Sequence, residues 1–376
     1  MPDIVQNTAR AGSYGPYGRD VPIPRQLEDV TAEWLGGLMA NRYPGLVIEA
    51  METVDLHNSH TTNLRVAVEY NAVGKAAGLP AHLCLKANWS ELTINNNTDI
   101  CELEARFYHE SANMPALPAA RCYYADWDGD GSGQGVVVLE DLADAGGKFG
   151  HSTDVIGIDG VAKALEGLAT LHGAWWGNER LDQLTWLPRS MDTPIDTNQI
   201  ELMRPYINAN LTSGAYSSIL PDWLVEDHSR LDRVYAKLNE WERAQPGPFC
   251  LVHGDSHMGN TYIYPDGHRI WFDWQLCRVG HGLRDVCYFM VAALTVDERR
   301  QADRRLLDHY REALLATGAE GVPDRETMWD HFRRWPVYGI QAWLQVEEWW
   351  GQNGRPPTER FSAALVDYDT ARLLGG

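Results

Sequence analysis

The segment LVHGDSHMGN, Leu251 to Asn260, decides how the rest of the chain is interpreted. A short apolar run, typical of a strand, leads into four residues that can do chemistry: His253, Asp255, His257 and Asn260. Three kinds of site are compatible with them. These are a metal-dependent hydrolase built on His-x-Asp-x-His, a metallophosphatase loop, and the catalytic loop of a kinase. The neighbouring segments discriminate among the three.

The residues that follow, NTYIYPDGHRIWFDW (260–274), predict a β-hairpin. TYIY and RIWF are β-rich runs on either side of an Asp-Gly pair, which is a strong two-residue turn signal. With Asp266 and Gly267 at the turn, Asn260 faces Asp273, and their Cβ atoms lie about 5 Å apart. An amide oxygen and a carboxylate at that separation can share a Mg²⁺ ion. A surface pair at the end of a hairpin is the alternative.

Asp255 lies five residues before Asn260, in the loop that leaves the strand FCLV. A carboxylate there can accept the proton of a substrate hydroxyl while Asn260 holds a metal, as in the catalytic loop of a kinase. The rival sites fit less well, because a metallophosphatase carries its two elements on separate loops and a histidine metal site needs further ligands. We therefore expect His253 to bond the loop backbone and His257 to belong to the loop or to the substrate side.

A cation for nucleotide phosphates is available in the apolar strand HLCLKANW, where Lys86 stands, although a lysine at a strand end is usually solvated. The helix predicted over 99–111 strengthens this candidate. Glu104 falls within its apolar stripe, whereas Glu102 and Arg106 lie on the opposite side as an i, i+4 surface pair. A glutamate on a buried face needs a partner. We expect that partner to be Lys86, as in the lysine–glutamate pair of kinases.

Two further segments are candidates for nucleotide contacts. VVVLEDL (136–142) predicts the strand that leads out of the first lobe, where backbone groups of Glu140 and Leu142 would hold the base. The loop LHNSHTTN (56–63) stands where kinases have a glycine-rich phosphate loop, but it contains no glycine. Its residues that could donate to phosphate instead are Ser59, Thr61 and Thr62. A plain polar hairpin turn is equally compatible.

Composition narrows the class of protein. The 376 residues carry a net charge of −20, which disfavours binding to nucleic acid or to an anionic membrane. No apolar run approaches the roughly 18 residues of a membrane span, and the N-terminal segment has no apolar core like that of a signal peptide. Six scattered cysteines without a Cys-x-x-Cys pair fit reduced thiols. We expect a cytoplasmic protein without membrane or nucleic-acid partners.

Several segments together resemble the aminoglycoside phosphotransferase and choline kinase superfamily: HGDSHMGN, WFDWQ, CLK, ELEARFY and VVLEDL. LATLHGAWW, LTWLP and FDWQLCRVGHGLRDVCYF are most similar to the ecdysteroid kinase-like branch and its bacterial relatives. The resemblance covers residues 28–320. It implies Asp255 as the catalytic base, Asn260 and Asp273 as Mg²⁺ ligands, and Lys86 on the phosphates with Glu104 beside it. Asp285, in LRDVCYF, resembles an aspartate that supports the catalytic loop, and an N-cap for the next helix is the alternative.

The element order indicates an α+β chain in which a strand-rich part precedes a mostly helical part. With the resemblance, it predicts a protein-kinase-like two-lobed fold. Residues 1–140 would form a small β-rich, nucleotide-binding N-lobe, and residues 141–376 a larger, mainly helical C-lobe for catalysis and substrate binding.

The segment WPVYGIQAWLQVEEWW (335–350) predicts a helix with a large aromatic surface. Because the C-terminal helices build the acceptor pocket in the family that the chain resembles, we expect an aromatic pocket for a bulky, partly apolar alcohol. Acidic residues of the segment could hold an amine instead, and core packing is equally compatible. The candidate pocket residues are His257, Trp343, Glu347 and Trp350.

These features favour a small-molecule O-phosphotransferase that uses ATP or GTP and Mg²⁺. Two alternatives stay open at this point, a catalytically weak nucleotide-binding protein and a metal-dependent hydrolase. The acceptor, the choice between ATP and GTP and the oligomeric state do not follow from the sequence.

Overall fold

The computed structural model describes residues 13–58, 61–89, 99–112, 117–189, 197–346 and 353–375. The chain divides into two compact units. The N-terminal unit comprises Met1–Gly147 and Asp273–Leu276, and the C-terminal unit comprises Lys148–Phe272 and Cys277–Gly376. A β-rich unit and a mostly helical unit confirm the predicted α+β class. The domain boundary at residue 140 stays a prediction.

The N-terminal unit is built on an antiparallel sheet. Its strands are β1 Ile48–Asn58, β2 Thr62–Tyr70, β3 His82–Ala87, β4 Cys122–Trp127 and β5 Gly135–Glu140, in the order β1-β2-β3-β5-β4. Its described helices are α1 Ala32–Ala40, α2 Ala72–Ala76 and α3 Ile100–Ser111.

Alternation of apolar residues explains why this sheet covers a core on one face. In β2, Leu64, Val66 and Val68 are buried while the residues between them are at least partly exposed, as the two-residue period of a strand requires. Helix α3 contacts β4 and β5. Phe107 belongs to the buried face of α3, and Glu104 is buried with it, as the helical period predicted.

The C-terminal unit is mostly helical in its described part. The helices are α4 Gly157–Trp175, α5 Thr197–Thr212, α6 Gly214–Ser217, α7 Asp222–Glu226, α8 Arg230–Arg243, α9 Leu283–Ala292, α10 Val296–Ala316, α11 Arg325–Phe332, α12 Pro336–Trp343, α13 Arg355–Asp367 and α14 Thr370–Leu373. The strands are β6 Lys148–Phe149, β7 Cys250–Val252, β8 Thr261–Ile263, β9 Arg269–Trp271 and β10 Arg278–Gly280. Strand β7 pairs with β10, and β6, β8 and β9 form a small sheet. None of the helices described is long and apolar enough to cross a membrane.

The predicted hairpin is present as β8 and β9, but its predicted register is wrong by one residue. Thr261 faces Trp271. One step further, the N–H of Phe272 donates to the carbonyl of Asn260 at 3.0 Å. Across the hairpin, therefore, Asn260 faces Phe272 and not Asp273, which follows as the next residue of the chain.

The length of the turn explains the wrong register. The N–H of Tyr264 donates to the carbonyl of His268 at 2.8 Å, so the turn contains three residues, 265–267, instead of two. Gly267 has a φ of 85°, a conformation that glycine adopts without strain and that closes three-residue hairpin loops. One additional turn residue shifts every facing pair of the hairpin by one position.

Candidate active site

Three charged side chains of the N-terminal unit form what we term the charge cluster: Lys86, Glu104 and Asp273. The ammonium Nζ of Lys86 lies 2.8 Å from Oε2 of Glu104 and 2.7 Å from Oδ1 of Asp273. Burial alone would lower the pKa of Lys86, but the carboxylates of Asp273 and Glu104 outweigh it and raise that pKa. The expected contact between Lys86 and Glu104 is thus present, and the lysine carries its charge at neutral pH.

The backbone around Asp273 is fixed by the residue that follows it. Trp274 stacks on Phe107 of α3 with a ring separation of 4.0 Å, and its N–H donates to Oε1 of Glu104 at 3.0 Å. Asp273 itself has a φ of 66°, a left-handed conformation that costs a non-glycine residue about 1 kcal/mol. Aspartate tolerates this conformation better than most residues do. The contacts of Trp274 therefore determine where the Asp273 carboxylate lies.

The described residues of the glycine-free loop are hydrogen-bonded within the N-terminal unit. The hydroxyl of Thr62 donates to Oδ1 of Asn58 at 2.7 Å, and Oγ1 of Thr61 lies 3.1 Å from the side-chain amide of Gln275. Both threonines are buried. Ser59 lies outside the described residues. Contact of this loop with phosphate stays a prediction.

The end of β5 also has a fixed backbone. The N–H of Glu140 donates to the carbonyl of Arg121 at 2.9 Å, and the Glu140 carboxylate accepts the N–H of Arg121 at 2.7 Å. The next residue, Asp141, accepts from Nε of Arg65 with both oxygens at 3.0 Å. These bonds hold the stretch that ends at Leu142, and its contact with a nucleotide base stays a prediction.

In the C-terminal unit, the loop of residues 253–260 holds the carboxylate of Asp255. Nδ2 of Asn260 donates to Oδ2 of Asp255 at 2.9 Å, and Nε2 of His257 lies 3.6 Å from the same oxygen. Burial would raise the pKa of Asp255, but His257, His253 and Asn260 together lower it to about 2. Asp255 is thus ionised throughout the neutral range.

Asp285 supports this loop from helix α9. Its carboxylate accepts hydrogen bonds from the N–H of His253 at 2.6 Å and from the N–H of Gly254 at 3.0 Å. Nε2 of His172 lies 3.3 Å from the same carboxylate. Burial would raise the pKa of Asp285, but His172, His253 and these hydrogen bonds lower it. Asp285 is the third residue of α9, so the supporting role implied by the resemblance is the observed one and the N-cap alternative is wrong.

Three residues near the loop were missed at the level of sequence. The hydroxyl of Tyr338 donates to the carbonyl of Gly254 at 2.5 Å, and Nη2 of Arg284 donates to the same carbonyl at 3.3 Å. Burial and the nearby charge of Asp255 raise the pKa of the Tyr288 phenol. A signal for Arg284 was present, because a charged residue inside the apolar helix LRDVCYFMVA requires a polar partner.

The two histidines of the loop have different tasks. Nε2 of His253 bonds the carbonyl of Phe272 at 2.9 Å, and its Nδ1 accepts the N–H of Asp255 at 3.2 Å, so the expected structural role is confirmed. Nδ1 of His257 accepts the N–H of Gly259 at 2.9 Å. In the neutral ring this assigns the proton to Nε2, the nitrogen that faces Asp255.

The loop does not suit a histidine metal site, because both ring nitrogens of His253 already make hydrogen bonds. Within the described ranges, no group of three or more His, Cys, Asp or Glu side chains is arranged to hold a metal ion.

The side chain of Asn260 is oriented by its two hydrogen bonds. Nδ2 donates both to the carbonyl of Asp255 and to its carboxylate, each at 2.9 Å. The amide oxygen Oδ1 is the group that remains to accept a cation. A carboxylate and an amide oxygen are ligand types that Mg²⁺ prefers, so Asn260 and Asp273 each suit that ion by their chemistry, and a site shared by the two stays a prediction.

The aromatic segment begins with a buried helix, α12. Trp335 and Trp343 are each 1% exposed. The ring of Trp343 lies 5.0 Å from that of His257. Glu347 and Trp350 lie outside the described residues, so the predicted acceptor pocket stays a prediction.

Comparison with solved structures identifies neighbours among small-molecule kinases. The choline kinase of Cryptosporidium parvum Iowa II is similar over 90% of this chain and 95% of its own, with 10% identity and a TM-score of 0.52. This likeness shows the fold. The ethanolamine kinase of Plasmodium vivax is similar over 85% and 82% of the two chains, with 12% identity and a TM-score of 0.49. An aminoglycoside phosphotransferase of Streptomyces rimosus, in complex with ADP and streptomycin, is similar over 72% and 92%, with 14% identity and a TM-score of 0.41.

Comparison of sequences identifies the family. No curated protein matches the chain. The model of the ecdysteroid kinase-like family matches residues 64–320. This range includes every residue of the charge cluster and of the 253–260 loop, and it spans well over half of the sequence. The chain belongs to the ecdysteroid kinase-like family of kinase-like phosphotransferases.

Proposed function

We propose that the protein transfers the terminal phosphate of ATP or GTP, with Mg²⁺, to a hydroxyl group of a small molecule. The observation that carries this proposal is the ammonium of Lys86, shared between the helix carboxylate of Glu104 and that of Asp273. In kinases, a buried lysine that is paired with a glutamate of a helix binds the nucleotide phosphates. An aspartate beside it is suited to a metal ion.

In this proposal each group has one task. Lys86 binds the phosphates and Glu104 holds Lys86. Asp255 orients the acceptor hydroxyl and takes its proton late in the transfer, as its low pKa requires. Asn260 and Asp273 would hold Mg²⁺, which would neutralise charge on the phosphates.

Backbone groups near the end of β5 would bind the base, at Glu140 and Leu142. Ser59, Thr61 and Thr62 are proposed to lie close to the phosphates. The acceptor, a bulky and partly apolar alcohol, would contact His257 and Trp343 together with Glu347 and Trp350. The contact of the Trp343 ring with the His257 ring, at 5.0 Å, supports an apolar surface next to the 253–260 loop.

A mass-spectrometric screen for phosphorylated products tests the proposal. The protein is incubated with MgATP or MgGTP and mixtures of antibiotics, steroid-like alcohols and amino alcohols. Wild type and the control Asp266→Asn, on the exposed hairpin turn, are expected to form a product. Asp255→Asn and Asp273→Ala are expected to lose at least about a thousandfold in rate. Full transfer by both of these variants would overturn the proposal.

Two other results would redirect it. Calorimetric binding of nucleotide without transfer to any acceptor in the panel would indicate a catalytically weak nucleotide-binding protein. Zinc or iron bound tightly to the purified protein would favour a metal-dependent hydrolase, although both ring nitrogens of His253 are already engaged.

A further inference from the structure

Gln275 brings a neutral amide into the charge cluster of the N-terminal unit. It is buried, two residues after Asp273. Its amide oxygen lies 3.0 Å from Nζ of Lys86 and 3.1 Å from Oγ1 of Thr61, and its nitrogen lies 3.2 Å from Oδ1 of Asp273. The opposite orientation would turn the amide N–H groups toward the ammonium, so this orientation is the one that pairs every donor with an acceptor.

We infer that Gln275 is a positioning residue of the nucleotide site, which holds Lys86 and Asp273 in place and ties the loop between β1 and β2 to them through Thr61. The inference rests on the proposed function and deepens it.

The chemistry of the amide explains why a glutamine suits this position. Lys86 and Asp273 now bond each other directly at 2.7 Å. Binding of a nucleotide with its cation would replace this bond, because the ammonium would turn to phosphate and the carboxylate to the metal. The amide oxygen of a glutamine can accept a hydrogen bond from Lys86, and its N–H group can donate one to Asp273. Lys86 and Asp273 therefore each keep a hydrogen-bond partner when they separate from each other. A glutamate would add a third carboxylate beside Lys86.

The bond to Thr61 gives Gln275 a second task. A glycine-rich loop can approach phosphates closely because glycine permits many backbone conformations. The loop of this chain has no glycine, and Thr61 at its end is 2% exposed. The hydrogen bond from the Thr61 hydroxyl to Gln275 therefore fixes the position of the end of the loop relative to Lys86. It does so through side chains and not through the backbone.

The test uses nucleotide binding, which needs no knowledge of the acceptor. The variants are Gln275→Leu, Gln275→Glu, Thr61→Val and the double variant Thr61→Val/Gln275→Leu. Gln134→Leu is the matched control, because Gln134 is a buried glutamine of the same unit whose amide bonds Pro24 at 2.7 Å and Asn88 at 3.1 Å. Calorimetry with MgATP and MgGTP gives Kd, and thermal unfolding gives Tm.

Gln275→Leu is expected to raise Kd about tenfold, which corresponds to about 1.4 kcal/mol, whereas Gln134→Leu is expected to lower Tm and leave Kd within about twofold of wild type. Gln275→Glu keeps the size of the side chain, and we expect it to raise Kd at least as much as leucine does. A role in packing alone would instead be rescued by glutamate.

Thr61→Val completes a double-mutant cycle. Thr61→Val alone is expected to raise Kd about threefold. Added to Gln275→Leu, it is expected to raise Kd little further, because the two residues act through one hydrogen bond. An equal rise in Kd on adding Thr61→Val to wild type and to Gln275→Leu would show that the two residues do not act through their hydrogen bond. A Kd for Gln275→Leu equal to that of wild type would overturn the inference and leave the proposed function intact. Failure of wild type to bind either nucleotide would overturn both.

Discussion

The charge cluster and the 253–260 loop each present one aspartate, and they hold it in different ways. Asp273 is bonded by Lys86, a charged side chain 187 residues away in the sequence. Asp255 is bonded by residues of its own loop, and Asp285 and Tyr338 fix the backbone of that loop. Side-chain ion pairs can exchange partners, whereas a loop held through its backbone keeps its shape.

This difference fits the two tasks that we propose. The cluster must release Asp273 and offer Lys86 to phosphate when a nucleotide binds. The loop must present a carboxylate in one orientation to an acceptor hydroxyl, and a fixed frame costs little reorganisation at the moment of reaction. Substitutions in the loop frame should therefore affect stability most, and substitutions in the cluster should affect binding.

The largest effect is expected for Asp285→Ala, which removes the acceptor of two backbone N–H groups and of His172. Buried donors would be left without a partner, and the free energy of unfolding should fall by about 3 kcal/mol or more. Urea and thermal unfolding measure the change. Asp297→Ala, an exposed aspartate at the start of α10, is the control and should stay within about 0.5 kcal/mol of wild type. Equal stability of the two variants would show that the loop does not depend on Asp285.

The second effect separates stability from binding within the charge cluster. Lys86→Met should lower the free energy of unfolding by about 2 kcal/mol or more, because it leaves Glu104 buried without a counter-charge. Adding Glu104→Gln should recover most of that loss. The Kd for MgATP should rise about a hundredfold in both the single and the double variant, since the cation is missing from each.

Calorimetry and thermal unfolding on the same preparations measure the two quantities. Lys75→Met, at an exposed position of α2, is the control for removing a lysine. Recovery of nucleotide binding in the double variant would contradict the proposed task of Lys86.

Within the charge cluster, the pair of Lys86 and Glu104 could be predicted from the sequence because its signal is local, whereas the bond between Lys86 and Asp273, 187 residues apart, was not predicted. Glu104 falls on the apolar face of a helix, and a buried carboxylate requires a cation. The register of the hairpin was missed because it depends on one turn residue. Asp-Gly usually forms a two-residue turn, but Pro265 begins a three-residue turn here.

The frame of the 253–260 loop was harder to predict. Asp285 was recognised through the family resemblance, and the residue types alone left an N-cap equally open. The hydroxyl of Tyr338 reaches a carbonyl 84 residues earlier in the chain. Its aromatic neighbours, including Trp343, gave the segment the pattern of a pocket or of a core, and a hydrogen bond to a distant backbone leaves no periodic signal.

A smaller effect is expected at His257, where two substitutions separate the roles of its two ring nitrogens. His257→Asn keeps an acceptor for the N–H of Gly259 and loses the donor to Asp255. His257→Gln extends an N–H to the position of Nε2. We expect kcat to fall about tenfold for asparagine and less than about threefold for glutamine, because the polar contact of Nε2 with the charged Asp255 carboxylate, at 3.6 Å, is at stake.

Transfer to an acceptor found in the screen provides the assay. His268→Asn, on the exposed hairpin turn, controls for loss of a histidine. A greater loss for glutamine than for asparagine would assign the main role of His257 to Gly259 and the shape of the loop.

The smallest effect concerns pH and returns to Asp285. Its pKa is lowered in the folded protein, so its carboxylate stabilises the fold above the ordinary aspartate pKa of about 3.9, and this contribution is lost as the pH falls through the lowered value. Asp285→Asn has no such proton to bind. The difference in stability between wild type and Asp285→Asn should therefore be constant from about pH 7 to about pH 5 and narrow by about 1 kcal/mol by about pH 3. Thermal unfolding across this range measures the difference, with Asp297→Asn as the reference for an exposed aspartate. A difference that stays constant down to about pH 3 would mean that folding does not lower the pKa of Asp285, and that the loop does not favour the charged carboxylate over the neutral acid.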